Sequence, residues 1–460
     1  MLKITISNDI RLPLNEISSE LMKAIKSDLT MDNPEYTQAV KYGYSVFGKE
    51  KHLHLYQVDR EEFVLPRGYG PDLSQRLQEY HIKVQWDDQR LILPTVEFGS
   101  RITLRDYQVP AVEALVKKRQ GGVVAGCGSG KTQILLEAIA RIKQPTLWIC
   151  HTHELLNQTK KRALAVLDID ESDIGEIAGG KVSIGSKLTL CLVQTLSKID
   201  ISELVGKFGA ICIDEAHHMA ARTFYHPIGQ FPALYRLWAS ATPERADGLT
   251  KMVYASGGPI VHSIDQDDLP TLTPTLNVVE TDFSYHSEDY PELISSLVQN
   301  KQRNDLIINT IIQVAEGHFS LVLSDRKEHL NTLGKLLAEA APKLRIEILT
   351  GSLSKGSRVK IMERLQRREV DVLLATQLAR EGLDVIHLDR LFLVTPKKSP
   401  GTIQQELGRV MRPCEGKQTP LVYDFWDTKS PILKTQFWRR REVYEKLGIQ
   451  WKKPVKKIIA

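Results

Sequence analysis

Three groups of residues in this chain have the types and spacing to bind a nucleoside triphosphate and cleave it. The first is Ala125-Gly126-Cys127-Gly128-Ser129-Gly130-Lys131-Thr132, which follows the apolar run 122–125 and opens a helical pattern near Lys131. Backbone N–H groups of such a turn, with the start of a helix behind them, cradle phosphate. Gly126, Gly128, Ser129 and Gly130 are therefore expected around the phosphates, Lys131 on the β- and γ-phosphates, and the Thr132 hydroxyl on magnesium. The second group, Asp214-Glu215-Ala216-His217, lies at the carboxyl end of the apolar run 208–213, where ligands sit in open α/β sheets. Asp214 is expected to hold the magnesium ion, and Glu215 to orient and deprotonate the attacking water. His217 is read as a relay of nucleotide state. Zinc is not expected at His217 and His218, because Thr132 and Asp214 already account for one hard cation.

The third group is Gln405-Glu406-Leu407-Gly408-Arg409-Val410-Met411-Arg412. Phosphoryl transfer spreads negative charge over the γ-phosphate, and arginines brought from outside the loop stabilise it. Arg409 and Arg412 are expected on one helical face in that role, with Gln405 and Gly408 beside them; a solvated surface pair is the bland reading. The arginines lie far along the chain from the phosphate loop, so hydrolysis is expected to couple to movement between domains, as in a nucleic-acid motor.

The elements needed to hold these residues are legible in outline. From about residue 96, short apolar runs at 122–125, 146–150, 188–193, 210–213 and 236–239 alternate with helical stretches, the pattern of a parallel α/β sheet. A stretch rich in Gly, Pro and Asp at 257–274 reads as a boundary. A second α/β block follows, with strands expected at 319–324, 345–349, 370–375 and 390–394. The expected organisation is a small α+β domain at 1–95, two parallel-sheet domains at 96–270 and 274–430, and a basic tail at 431–460. Within the first of these, Pro66-Arg67-Gly68-Tyr69 fits both a structural turn and a basic-aromatic contact to nucleic acid.

Composition sets the frame. With 460 residues, 42% hydrophobic and 25% charged, the chain reads as globular rather than collagenous or disordered. No run is apolar for long enough to span a bilayer, and the first residues alternate like a strand rather than a secretory signal. No membrane association and a cytoplasmic location, in a bacterium or a phage-infected cell, are the expectations. The five cysteines never form a Cys-x-x-Cys pair, so neither zinc nor a disulfide framework is expected. Cys127 is either reactive or simply a tolerated small residue. The net charge of +5 permits a polyanionic partner, and the basic residues Arg439, Arg440, Arg441, Lys446, Lys452, Lys453, Lys456 and Lys457 crowd the last stretch.

Taken together, these motifs resemble the superfamily 2 helicases of the DEAH type over residues 104–427. That resemblance implies two RecA-like domains that use ATP and Mg2+. It also adds motifs. Leu104-Arg105-Asp106-Tyr107-Gln108 is similar to the adenine-recognition motif, with Gln108 reading the base. Thr152, Gln194, Thr195, Arg326, Thr350, Gly351 and Thr376 would line the nucleic-acid path. Ser240 and Thr242 would couple that path to ATP, as would His217 and Gln405, while Gly382 and Asp384 would contact nucleotide. Within the superfamily, Ser240-Ala241-Thr242-Pro243-Glu244-Arg245 and Asp247-Gly248 resemble the branch of XPB-like and UvsW-like enzymes and the branch-migration helicase of T5-like phages. Gly43-Tyr44-Ser45 and Pro66-Arg67-Gly68 are similar to the leading domain of compact phage and bacterial members.

The resemblance implies an ATP-dependent DNA helicase or translocase that remodels forks or Holliday junctions in recombination, repair or replication. DNA with single-strand/duplex junctions is the expected partner, with a protein partner reached through the basic tail. The alternatives are an RNA helicase and the motor subunit of a restriction or defence complex. A nuclease domain is not expected within the roughly thirty residues after the second block.

Overall fold

The computed structural model describes all residues except 127, 217–221, 242–247, 266–267, 270–271, 286–288, 377–386, 397–399, 415 and 452–460, together with the side chains of 222–224, 355, 400 and 401. The chain divides into two compact units, 1–268 and 269–460.

The first unit opens with a five-stranded sheet in the order Gln57–Asp59, Glu62–Pro66, Asp9–Pro13, Leu2–Ile6, Val84–Asp88. Its inward positions alternate along the strands, so Leu2 and Ile4 share a face, as do Ile10 and Leu12. The helices Ser19–Asp28 and Gly70–Glu79 cover that face with Leu21, Ile25, Leu73 and Leu77. Ser18 caps the first of them, its hydroxyl accepting from the Leu21 N–H at 3.2 Å.

Arg67 fastens this layer, residues 1–95, to the strands behind it. The guanidinium is buried and donates to Gln120 Oε1 at 2.7 Å, to the Ala233 carbonyl at 2.6 Å and to the Leu234 and Ser7 carbonyls at 3.3 Å. Gly68 follows because a Cβ there would lie 1.9 Å from the Tyr254 carbonyl oxygen. The Tyr69 hydroxyl donates to Asp28. Arg67 and Tyr69 are thus structural, and the reading that sets them against nucleic acid is corrected.

Behind this layer lies an eight-stranded sheet in the order Lys181–Ser183, Ile174–Ala178, Leu188–Leu192, Thr146–Cys150, Ala210–Asp214, Tyr235–Ser240, Gln120–Ala125, Ile260–Ile264. All neighbours run parallel except the first pair. Cys150, Cys191 and Cys212 are buried in its strands, and burial raises each thiol, Cys191 to about 12. They act as small hydrophobes.

The second unit is a six-stranded parallel sheet in the order Thr275–Thr281, Leu421–Asp427, Arg390–Leu393, Ser320–Leu323, Val372–Ala375, Ile346–Leu349. Both faces are covered, as the near-continuous apolar strands require. Val322, Leu374 and Phe392 pack with Ile307, Ile311, Leu330 and Leu333 of the helices Lys301–Ala315 and Lys327–Ala340. Leu321, Leu373 and Leu391 face the other way, toward Leu365, Ile403, Leu407 and Phe437. Residues 431–446, expected as part of a tail, form the helix Pro431–Lys446, packed on the sheet through Phe437 and Tyr444 and against Leu293 and Leu297 through Leu433. Arg440 is buried against Asp424 rather than offered to phosphate. Among the described residues no helix is long and apolar enough to cross a membrane, and no cluster of His, Cys, Asp and Glu could hold a metal ion.

Candidate nucleotide and nucleic-acid site

Three neighbouring parallel strands of the first unit, Ala210–Asp214, Tyr235–Ser240 and Gln120–Ala125, end side by side, which brings Asp214, Ser240 and the phosphate loop to one edge. Gly128 and Gly130 take φ values of +90° and +81°, a region that side chains disfavour, and so turn the loop back toward the helix Lys131–Ile142. The start of that helix points unsatisfied N–H groups into the turn. Lys131 is 7% exposed; its ammonium donates to the Ala125 carbonyl at 3.3 Å and lies 3.9 Å from Glu215. The Thr132 hydroxyl donates to Asp214 at 2.9 Å.

Burial pushes the Asp214 carboxyl above its ordinary value, and Glu215 adds to the rise, while Lys131 and Thr132 pull it down. A carboxylate so placed gains from a cation beside it. Glu215 itself adopts φ +53°, and its N–H donates to Asp214 Oδ1 at 3.0 Å. Left-handed backbone at a residue with a side chain stores strain, a feature concentrated at working sites. The Ser129 hydroxyl is fully buried and has no hydrogen-bond partner among the described residues. An orphaned donor in a glycine cradle, a buried carboxylate touching a hydroxyl and a lysine beside them together fit a nucleoside triphosphate with its magnesium ion.

Gln108 is buried and fixes this loop from behind. Its Nε2 donates to the Ser129 carbonyl at 2.7 Å, and its Oε1 accepts from the Arg105 N–H at 2.9 Å. Thr152, expected on the nucleic-acid path, caps the helix His153–Val166 by accepting from the Leu155 N–H at 3.2 Å. Gln194 Nε2 donates to the His151 carbonyl at 2.8 Å, joining the ends of two adjacent strands, and Thr195 follows it in the short helix Val193–Leu196.

In the second unit, the carboxyl ends of three adjacent strands gather Arg326, Thr350, Gly351 and Thr376 at one edge of the sheet. Arg326 is exposed, Thr350 is buried with its hydroxyl 3.1 Å from that of Ser352, and the space around Gly351 is open. Gln405 and Arg409 are half-buried on the helix Pro400–Val410. That helix stops before Arg412, so the two arginines do not share a helical face as expected. Lys417 takes over the positioning: its ammonium donates to the Val410 carbonyl at 2.6 Å and the Arg412 carbonyl at 2.7 Å. Burial lowers Lys417 to about 8. A lone lysine beyond the motif carries no sequence signal of this task. Cys127, His217, Thr242, Gly382 and Asp384, with the basic residues from Lys452 onward, lie outside the described residues.

The family described as "Type III restriction enzyme, res subunit" matches residues 101–245, and the "Helicase conserved C-terminal domain" matches residues 302–414. A putative ATP-dependent RNA helicase of Acanthamoeba polyphaga mimivirus is 28% identical over 94% of this chain and 83% of its own length. The DNA 3'-5' translocase XPB2 of Sulfurisphaera tokodaii is 31% identical over 42% of this chain and 44% of that relative, less than half its length. The yeast protein Dbp5, solved with RNA and ADP BeF3, matches 77% of this chain and 90% of its own with a TM-score of 0.58 at 15% identity, a likeness of fold alone.

Proposed function

The chain belongs to the superfamily 2 helicases, whose two domain families together match more than half of it, and from that premise we propose that it is an ATP-dependent DNA helicase or translocase that remodels branched DNA. The observation that carries the proposed chemistry is the Thr132–Asp214 contact with Lys131 and Glu215 beside it. Thr132 and Asp214 would hold magnesium, and the ion would supply charge neutralisation at the phosphates. Lys131 leaves the Ala125 carbonyl for the β- and γ-phosphates. Glu215, held next to Asp214, orients the attacking water and accepts its proton. Gln108 keeps the loop in place beneath the nucleotide, and Arg409 and Arg412 stabilise the charge that develops on the γ-phosphate. Ser240, one strand over from Asp214, passes the state of the nucleotide to the nucleic-acid path.

DNA is favoured by the likeness to an archaeal DNA translocase, which has the higher identity of the two relatives. The second reading, an RNA helicase, draws on the viral relative that matches nearly the whole chain. Steady-state ATP hydrolysis with single-stranded DNA, duplex, fork, four-way junction and matched RNA at one salt concentration separates them. Stimulation chiefly by branched DNA is the expected result, and stimulation chiefly by RNA would overturn it. In the same assay Lys131→Ala should lower turnover by about 100-fold or more with the fold intact, the size expected for loss of a principal charge at the transition state.

A further inference from the structure

The N-terminal layer carries a feature that the motor chemistry does not use. After the helix Pro34–Lys41 the chain forms a loop whose tip holds Tyr42, Tyr44 and Phe47, exposed by 63%, 70% and 96%. The Tyr42 and Tyr44 rings lie 6.2 Å apart, and large apolar side chains exposed together in water serve contact with something else. The tip stands on a fixed base. Asn33 caps the helix through the Glu35 N–H at 3.0 Å, its Nδ2 donates to the Glu50 carbonyl at 2.7 Å, and its N–H donates to the Lys51 carbonyl at 3.0 Å. The Tyr44 N–H donates back to the Ala39 carbonyl at 2.8 Å. Gly43 and Gly48, at φ +69° and +74°, make the bends on either side of the stretch that carries Tyr44 and Phe47.

Lys49 and Glu35 line a smaller cleft beside Tyr42 and Tyr44. Lys41 lies 5.6 Å from the Tyr42 ring centre, and Lys49 and Lys51 follow the tip in sequence. On one side opens a cleft of about 950 Å³ lined by Lys26, Lys41 and Lys251; Thr30 and Thr37 in the same lining donate their hydroxyls to the Lys26 and Asn33 carbonyls, at 2.6 and 3.1 Å. Among the described residues Asp32 is the one acid in its lining, and His52 lies 3.2 Å from it. Cations suit a chain of phosphates whatever its sequence, and exposed rings suit the faces of unstacked bases. A membrane surface would call for an amphipathic helix instead.

We infer that this loop and cleft form a second nucleic-acid contact, in which Lys26, Lys41 and Lys251 hold the phosphates of one strand while Tyr44 and Phe47 stack on bases at the boundary between duplex and single strand. The inference rests on the reading of the chain as a DNA-remodelling motor and assigns its leading layer the task of opening the junction. Both side chains are exposed, so Tyr44→Ala with Phe47→Ala should leave the fold unchanged.

The test uses a DNA fork with 2-aminopurine at the junction. The full chain should quench the probe, and the double variant should lose the quench and open the fork about tenfold more slowly, the scale of one lost base stack. Hydrolysis stimulated by plain single-stranded DNA should stay within about twofold, because the motor's own contacts remain. Tyr44→Phe with Phe47→Tyr should restore both readouts. Unchanged quenching and opening in the alanine variant would overturn the inference. A chain that quenches through Phe47 yet shows no nucleic-acid-stimulated hydrolysis would overturn the motor reading and leave this contact standing.

Discussion

The two units solve the same problem, a guanidinium inside a protein, in opposite ways. In the first, Arg67 and Arg236 are buried among carbonyls. Arg236 donates to the Ser256 and Phe231 carbonyls at 2.8 Å, and Arg67 to three carbonyls and an amide. Burial pushes Arg67 far below the ordinary arginine value, helped by its neighbour Arg236, and lowers Arg236 to about 10. In the second unit each buried arginine has a carboxylate. Arg303 donates to Asp427 at 2.8 Å and Arg440 to Asp424 at 2.8 and 2.9 Å. Burial alone would lower Arg440, but Asp424 outweighs it and the net shift is upward.

Carbonyl dipoles make Arg67 a fastener between layers without fixing a second charge in the interior. Ion pairs, in contrast, make each arginine of the second unit indispensable to its acid, since removing one partner strands the other.

That difference sets the order of expected effects. Asp427→Ala leaves Arg303 buried without its carboxylate and frees the Thr281 hydroxyl, which donates to the same oxygen at 2.6 Å. A loss of roughly 3–5 kcal/mol is expected, read as a lower denaturant midpoint and lost hydrogen-exchange protection in the strand Leu421–Asp427. Arg67→Met removes a charge along with its hydrogen bonds and strands no acid, so roughly 1–3 kcal/mol is expected, with new protease sensitivity confined to residues 1–95. If Arg67→Met proved the more damaging of the two, the contrast between the units would fail.

A pH titration sharpens the comparison further. His329 is buried in the second unit, its Nε2 3.0 Å from Asn304 Oδ1 and its Nδ1 3.0 Å from the Ser324 hydroxyl. Burial, assisted by Arg303, lowers it from 6.5 to about 3. The folded value lies below the unfolded one, so its stabilising contribution is complete above pH 6.5 and fades as the pH falls toward 3. The slope should be about 1.4 kcal/mol per pH unit in that window. His329→Gln should flatten the acid limb of stability against pH measured in the second unit; an unchanged limb would assign the acid sensitivity elsewhere.

How much of this was legible depends on whether a residue's partners are near it in sequence. The strand Thr146–Cys150 was readable to the residue because all its side chains are apolar or small and buried. The phosphate loop was readable because its glycines, lysine and threonine act within one turn. The strand Leu421–Asp427 is hidden in the sequence because Asp424 and Asp427 interrupt its apolar run. Their charges are answered by Arg440 and Arg303, which only folding brings near. Ile260–Ile264 was lost in a stretch that reads as a boundary, yet it completes the edge of the first sheet beside Gln120–Ala125.

The roles divide along the same line. Thr152 reads as a nucleic-acid contact by its place in a motif and serves as a helix cap. Gln108 reads as a base contact and holds the loop. Arg412 reads as a helical neighbour of Arg409, although the helix ends two residues earlier and Lys417 holds the turn that follows. The sequence by itself determined the parallel-sheet architecture and the nucleotide chemistry, because both are written in short-range patterns of apolar runs, glycines and paired carboxylates. Only the tertiary structure decided which arginines are fasteners, which hydroxyls are caps and where the aromatic tip stands exposed, because burial and partnership are set by residues far apart along the chain.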